Sequence, residues 1–151
     1  TMGAFIPRNY NPQRAFPLLV LLPGMDGGDG RNTYKGQGIT ERRDFICATM
    51  PLFRVRAEKT GEVRDDLALA TEDYRLMWSL YRSMLATLFA AVPNIDPAHC
   101  IIGGFSNGAH ATAGLLDTET DEVLRRFSGF LFVEGGDRLE RPEVLKDRDV
   151  L

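Results

Sequence analysis

Apolar residues in this chain gather into short unbroken blocks and one long helical stripe. Leu18-Leu19-Val20-Leu21-Leu22 is a run of five without a polar interruption, closed by Pro23-Gly24. Continuous rather than alternating apolarity is what a strand covered on both faces requires, as in a parallel sheet. Residues 44–49, ended by Pro51, make a second such block, Cys100-Ile101-Ile102-Gly103-Gly104-Phe105 a third, and Phe130-Leu131-Phe132-Val133 a fourth. Ahead of them, residues 3–6 read as the end of a strand, followed by a turn punctuated by Pro7, Pro12 and Pro17.

Residues 64–92 carry the helical signal. Leu67, Ala70, Tyr74, Met77, Tyr81, Met84, Leu88 and Ala91 recur at steps of three and four, forming one apolar stripe. Asp65 and Asp66 suit its first turn and Pro93 stops it. The stripe, with Trp78 nearby, predicts packing against a sheet rather than a cofactor groove or a coiled coil. Between residues 24 and 38 there are six glycines and no apolar period, so a long loop is expected, with one short helix near 37–43. Residues 94–97 read as a turn, residues 107–116 as a helix rich in Ala and Gly, and 118–126 as a short charged helix. Strand and helix in alternation predict an α/β fold, three layers deep (α/β/α), around a mostly parallel sheet. No internal repeat or domain boundary interrupts residues 1–151, and residues 137–151, nine of them charged, read as a charged tail.

Composition narrows the function classes. The 151 residues carry 18 Lys+Arg and 21 Asp+Glu, a formal charge of −3, which removes the electrostatic drive toward nucleic acid. No apolar stretch approaches the ~20 residues of a membrane span, and no signal-peptide pattern opens the sequence. Cys47 and Cys100 each lie in an apolar run and are expected as buried reduced thiols. His99 and His110 are too few for most metal sites, and neither a metal nor a cofactor is expected.

One motif carries chemistry. Gly104-Phe105-Ser106-Asn107-Gly108 follows a buried strand and opens a small-residue helix, the context a nucleophile elbow requires. So tight a turn holds the serine in a strained backbone region, and the two glycines remove side chains that would collide. The competing reading is a glycine-rich turn whose serine caps the helix. Acyl transfer also needs two N–H donors aimed at the developing oxyanion. One would come from Asn107. The other would come from the loop Leu22-Pro23-Gly24-Met25-Asp26-Gly27-Gly28, from Met25 with Asp26 the neighbouring candidate. The same loop matches neither a dinucleotide fingerprint nor a Walker loop, and Asp26 and Asp29 lack calcium-loop spacing.

Together these elements resemble the α/β-hydrolase superfamily, and within it the secreted-type serine esterases: feruloyl and acetyl-xylan esterases and polyhydroxybutyrate depolymerases. The resemblance rests on Phe5-Ile6-Pro7-Arg8-Asn9-Tyr10-Asn11-Pro12, on Phe16-Pro17-Leu18-Leu19-Val20-Leu21-Leu22-Pro23-Gly24, and on Ile95-Asp96-Pro97 through Gly108-Ala109. It covers most of residues 4–136. One departure is Pro23-Gly24 where the family usually has His-Gly. The resemblance implies an ester substrate, small or polymeric, Ser106 as nucleophile, and Met25 and Asn107 flanking the oxyanion. It also implies that export is common among similar proteins, which leaves the compartment open.

The rest of the triad is harder to place. A serine needs a base oriented by a carboxylate, and in this superfamily both follow the serine, on later strands. After Ser106 the sequence holds only His110, one helical turn on, where its ring is expected to line a pocket rather than reach the hydroxyl. His99 is expected to precede its strand, at the opposite end of the sheet. Asp137 is a candidate acid just past a strand end, and Glu134 a further pocket candidate. The expectation is therefore a partial hydrolase domain lacking its late strands, inactive by itself, with the acid and histidine outside these residues. The alternative is an inactive binding module that keeps the elbow. With no later strand, 130–133 is expected to present an open edge, a route to self-association, unless another chain, a missing segment or the tail covers it.

Overall fold

A sheet of six strands organises the chain in the computed structural model, which describes residues 1–24, 27–52, 71–136 and 139–151. The elements run β1 (Gly3–Phe5), β2 (Phe16–Leu22), α1 (Tyr34–Ile39), β3 (Ile46–Thr49), α2 (Thr71–Ala91), β4 (Ile95–Phe105), α3 (Asn107–Thr118), α4 (Thr120–Arg126), β5 (Gly129–Val133) and β6 (Asp149–Val150). A short 3₁₀ turn, Pro142–Leu145, precedes the last strand. Strand order is β1-β3-β2-β4-β5-β6, and every pairing is parallel except that of β1 with β3.

The unbroken apolar run explains why β2 lies in the middle. Leu18, Val20 and Leu22 are fully buried on the face covered by α2, α3 and α4, against Met77, Tyr81, Leu85, Leu115 and Leu116. Leu19 and Leu21 face the other way with Cys47, where Gly36 of α1 packs close enough that a Cβ there would lie 3.0 Å from the Cys47 Cβ. Both faces therefore exclude water, as a central parallel strand requires. Helices α2 and α3 meet where Gly114 leaves room for the ring of Tyr74. Helices α2 and α4 are joined by Glu122, which accepts from Trp78 Nε1 at 2.7 Å and from Arg82 at 2.8 and 3.0 Å.

Several boundaries differ from those the sequence predicts. The α2 stripe is real in Met77, Tyr81 and Leu88, which are buried, but Ala91 is exposed, and residues 64–70 lie outside the described residues. Helix α1 begins three residues earlier than expected. Strand β2 includes Pro17, accommodated by a register shift between Phe16 and Leu18 against β4, since a proline cannot donate to the ladder. Strand β4 starts at Ile95, so the expected turn at 94–97 is largely strand and His99 lies within β4 rather than before it. His99 is mostly exposed and its Nδ1 lies 2.8 Å from Asp96 Oδ2.

The largest correction concerns the far edge of the sheet. Residues 149–150 pair with Gly129 and Phe130. The Leu151 carbonyl accepts from the Phe132 N–H at 2.9 Å, and the Leu151 N–H donates to Phe130 at 3.0 Å. The charged tail thus covers the edge of β5 along residues 129–132. Apolar content did not signal β6 because a two-residue edge strand is held by backbone hydrogen bonds alone. No described helix is long and apolar enough to cross a membrane.

Candidate active site

Three parallel strands end side by side. The register pairs Leu22 with Gly104, and Phe105 with Val133, so β2, β4 and β5 deliver their carboxyl ends to one rim of the sheet. From β2 the chain steps outward to β3, then passes back over β2 to β4 and β5. Such a reversal opens a crevice at the carboxyl ends of the strands, where ligands bind in open α/β sheets. Ser106 sits there, between the last residue of β4 and the first of α3.

The bend at Ser106 is tight for identifiable reasons. Its backbone adopts φ 50° and ψ −116°, a conformation costly for any residue with a side chain. A Cβ on Gly104 would lie 2.3 Å from the Gly108 carbonyl carbon, and a Cβ on Gly108 would lie 2.3 Å from the Leu22 carbonyl oxygen. Only glycine at both positions lets the strand reverse into α3 and lets α3 lie against β2. The Ser106 N–H donates to the Val133 carbonyl at 2.8 Å, and its own carbonyl accepts from Ala109 and His110 at 2.9 and 3.1 Å. Its side chain makes no capping hydrogen bond to α3, so the helix-cap reading of this serine does not hold.

The glycine-rich loop after β2 arrives at the same place. A Cβ on Gly24 would fall 2.8 Å from the Phe105 carbonyl oxygen and 3.4 Å from Ser106 Cβ. Met25 and Asp26, the oxyanion candidates of this loop, lie outside the described residues, as does Asp137. Asn107 is half-buried as the first residue of α3. Glu134 is exposed, with φ 55°, in the turn leaving β5.

His110 is half-buried in α3, and its Nδ1 accepts the Gly136 N–H at 3.3 Å. Sequence reasoning missed Gly135. A Cβ there would stand 2.7 Å from the Ser106 carbonyl oxygen and 3.2 Å from His110 Nε2. The signal was available: two glycines, Gly135 and Gly136, follow one residue beyond the strand that neighbours the elbow strand. Cys47 and Cys100 are buried free thiols, and burial raises the pKa of both, Cys100 to about 11. They are therefore poor nucleophiles. Among the described residues no group of three His, Cys, Asp or Glu side chains could hold a metal ion.

Comparison with known proteins gives the fold. No protein-family model matches the sequence, and no curated protein matches it. Solved structures do. A thermostable esterase superposes on 99% of this chain at a TM-score of 0.58 and 20% identity. A Bacillus cereus carboxylesterase superposes on 89% at 0.55 and 18%, and a Pyrococcus horikoshii acylaminoacyl peptidase on 86% at 0.58 and 13%. The chain has the α/β-hydrolase fold. It spans 40%, 61% and 20% of the lengths of those three proteins, respectively.

Proposed function

We propose that this chain carries the nucleophile half of a serine hydrolase acting on carboxylic esters. The observation that carries the reading is Ser106 itself. Its backbone is held in a strained conformation at the carboxyl end of a central strand, and its side chain is not used to cap the helix that follows. Strain of this kind persists only where the surrounding structure over-determines it, and it clusters at reactive positions.

In the proposed reaction Ser106 Oγ attacks the ester carbonyl carbon while its proton passes to a general base. The carbonyl π pair becomes an oxyanion, held by the backbone N–H of Asn107, at the positive end of α3, and by that of Met25, with Asp26 the neighbouring candidate. Collapse expels the alcohol, which takes the proton, and leaves an acyl group on Ser106. Water attacks the acyl carbon in the same way, releasing the acid and restoring the hydroxyl.

The base is assigned to a histidine outside these 151 residues. His110, the only one after Ser106, has Nδ1 engaged by the Gly136 amide and lies one turn down the helix. Asp137 is the chain's own candidate for the orienting carboxylate, and Glu134 and His110 line the site. The esterase neighbours support an ester as substrate, and the quoted sequence segments point to the feruloyl, acetyl-xylan and polyhydroxybutyrate branch.

Fluorophosphonate labelling with peptide mapping tests the reading on the protein encoded by the whole open reading frame. An adduct on Ser106, lost in Ser106→Ala, is expected. A folded protein that acquires none overturns the proposal and leaves the inactive binding module in its place.

A further inference from the structure

The turn leaving β5 is tied to the elbow at two points. At one end the Val133 carbonyl accepts the Ser106 N–H at 2.8 Å. At the other the Gly136 N–H donates to His110 Nδ1 at 3.3 Å. Between them Glu134 and Gly136 both adopt positive φ, 55° and 89°, and Gly135 presses so closely on the Ser106 carbonyl that no side chain fits between. A short turn with two left-handed residues does not hold one shape by local preference. Its shape is imposed by what it binds, and one of the two bonds is to a side chain.

We infer that His110 is a positioning residue, one that fixes the 134–136 turn against the nucleophile by accepting the Gly136 amide on Nδ1. An imidazole nitrogen accepts only while its lone pair is available, so the bond assigns His110 as the neutral ring with its proton on Nε2. His110 thus acts through the backbone: it touches neither the ester nor the proton in flight, and it sets the wall against which Ser106 is held.

This inference rests on the proposed hydrolase function for its catalytic consequence but not for its structural content, and its test separates the two. On the protein from the whole open reading frame at pH 8, the imidazole nitrogen chemical shifts should report a protonated Nε2 and a bare, hydrogen-bonded Nδ1. Exchange of the Gly136 amide should quicken about tenfold in His110→Ala, the loss of one ordinary hydrogen bond. The rate of Ser106 fluorophosphonate labelling should fall at least tenfold, since small displacements at a nucleophile are costly. In His110→Asn, whose amide oxygen can stand where Nδ1 stood, both should recover to within about threefold.

A proton found on Nδ1, or Gly136 exchange unchanged in His110→Ala, overturns the inference. So does a labelling rate that His110→Ala leaves intact. Should His110→Ala fail to fold, the nitrogen shifts of the wild-type ring and the Asn variant still decide the matter. Complete absence of labelling in the wild type would instead defeat the hydrolase reading, while the shifts and the exchange rate would continue to judge the latch.

Discussion

Gly108 lies against the carbonyl of Leu22, so near that a Cβ would come within 2.3 Å of its oxygen and 2.7 Å of the Pro23 oxygen. The second glycine of the elbow motif is therefore a packing requirement between α3 and the central strand as well as a local one. Gly108→Ala should cost about 2 kcal/mol, the usual effect of an extra methyl forced into a filled space. It should also lift α3 from β2 and suppress labelling of Ser106. Denaturant titration reads the first effect and fluorophosphonate reactivity the second; a variant as stable as the parent would mean that the backbones separate freely.

The strain at Ser106 makes a second prediction, in the opposite direction. Glycine accepts φ 50° and ψ −116° far more easily than any residue with a Cβ, so Ser106→Gly should exceed Ser106→Ala in stability by about 1 kcal/mol. Ser106→Ala should stay within about 0.5 kcal/mol of wild type, because no capping bond is lost. Both variants should fail to label. A Ser106→Ala loss above about 1 kcal/mol would point to a structural task for the hydroxyl.

Tyr81 is almost wholly buried and its hydroxyl donates to the Pro51 carbonyl at 2.6 Å. Removing the donor leaves that carbonyl unpaired in the interior, so Tyr81→Phe should lower stability by about 1–2 kcal/mol. Burial also drives the Tyr81 pKa far above the ordinary phenol value, so this ring should remain protonated when exposed tyrosines ionise. Ultraviolet titration of wild type and Tyr81→Phe should then differ only once the protein unfolds.

Alkaline pH offers a fourth test. Burial is the main reason the Cys100 thiol is pushed up to about 11; Asp96 adds to the shift and Arg126 opposes it. In the unfolded chain the same thiol ionises near 8.5. The folded state binds the proton more tightly, so the stability it contributes is complete below that unfolded value and is lost as pH rises toward 11. Denaturant midpoints should therefore fall between pH 8 and 10, below the range in which tyrosines dominate, and Cys100→Ala should flatten the slope. Equal slopes in the two proteins would contradict the burial account.

Local pattern carried a large share of this protein. The unbroken apolar runs foretold β2, β4 and β5, because a strand shielded on both faces has no solvent side on which to place polar residues. The glycine spacing around Ser106 foretold the bend, because the collision avoided at Gly104 involves residues only four and five positions on, whereas the contact of Gly108 with Leu22 depends on strand order. Other features follow from which strands lie next to one another, and no local period encodes that. Val133 meets Ser106 only because β5 is the neighbour of β4; Gly135 and the His110–Gly136 bond exist for the same reason. The tail closes the sheet through backbone groups that every sequence possesses, which is why its composition hid β6. Side-chain pattern encodes what each segment must bury, whereas the pairing of distant amides and carbonyls is decided only when the strands have found their order.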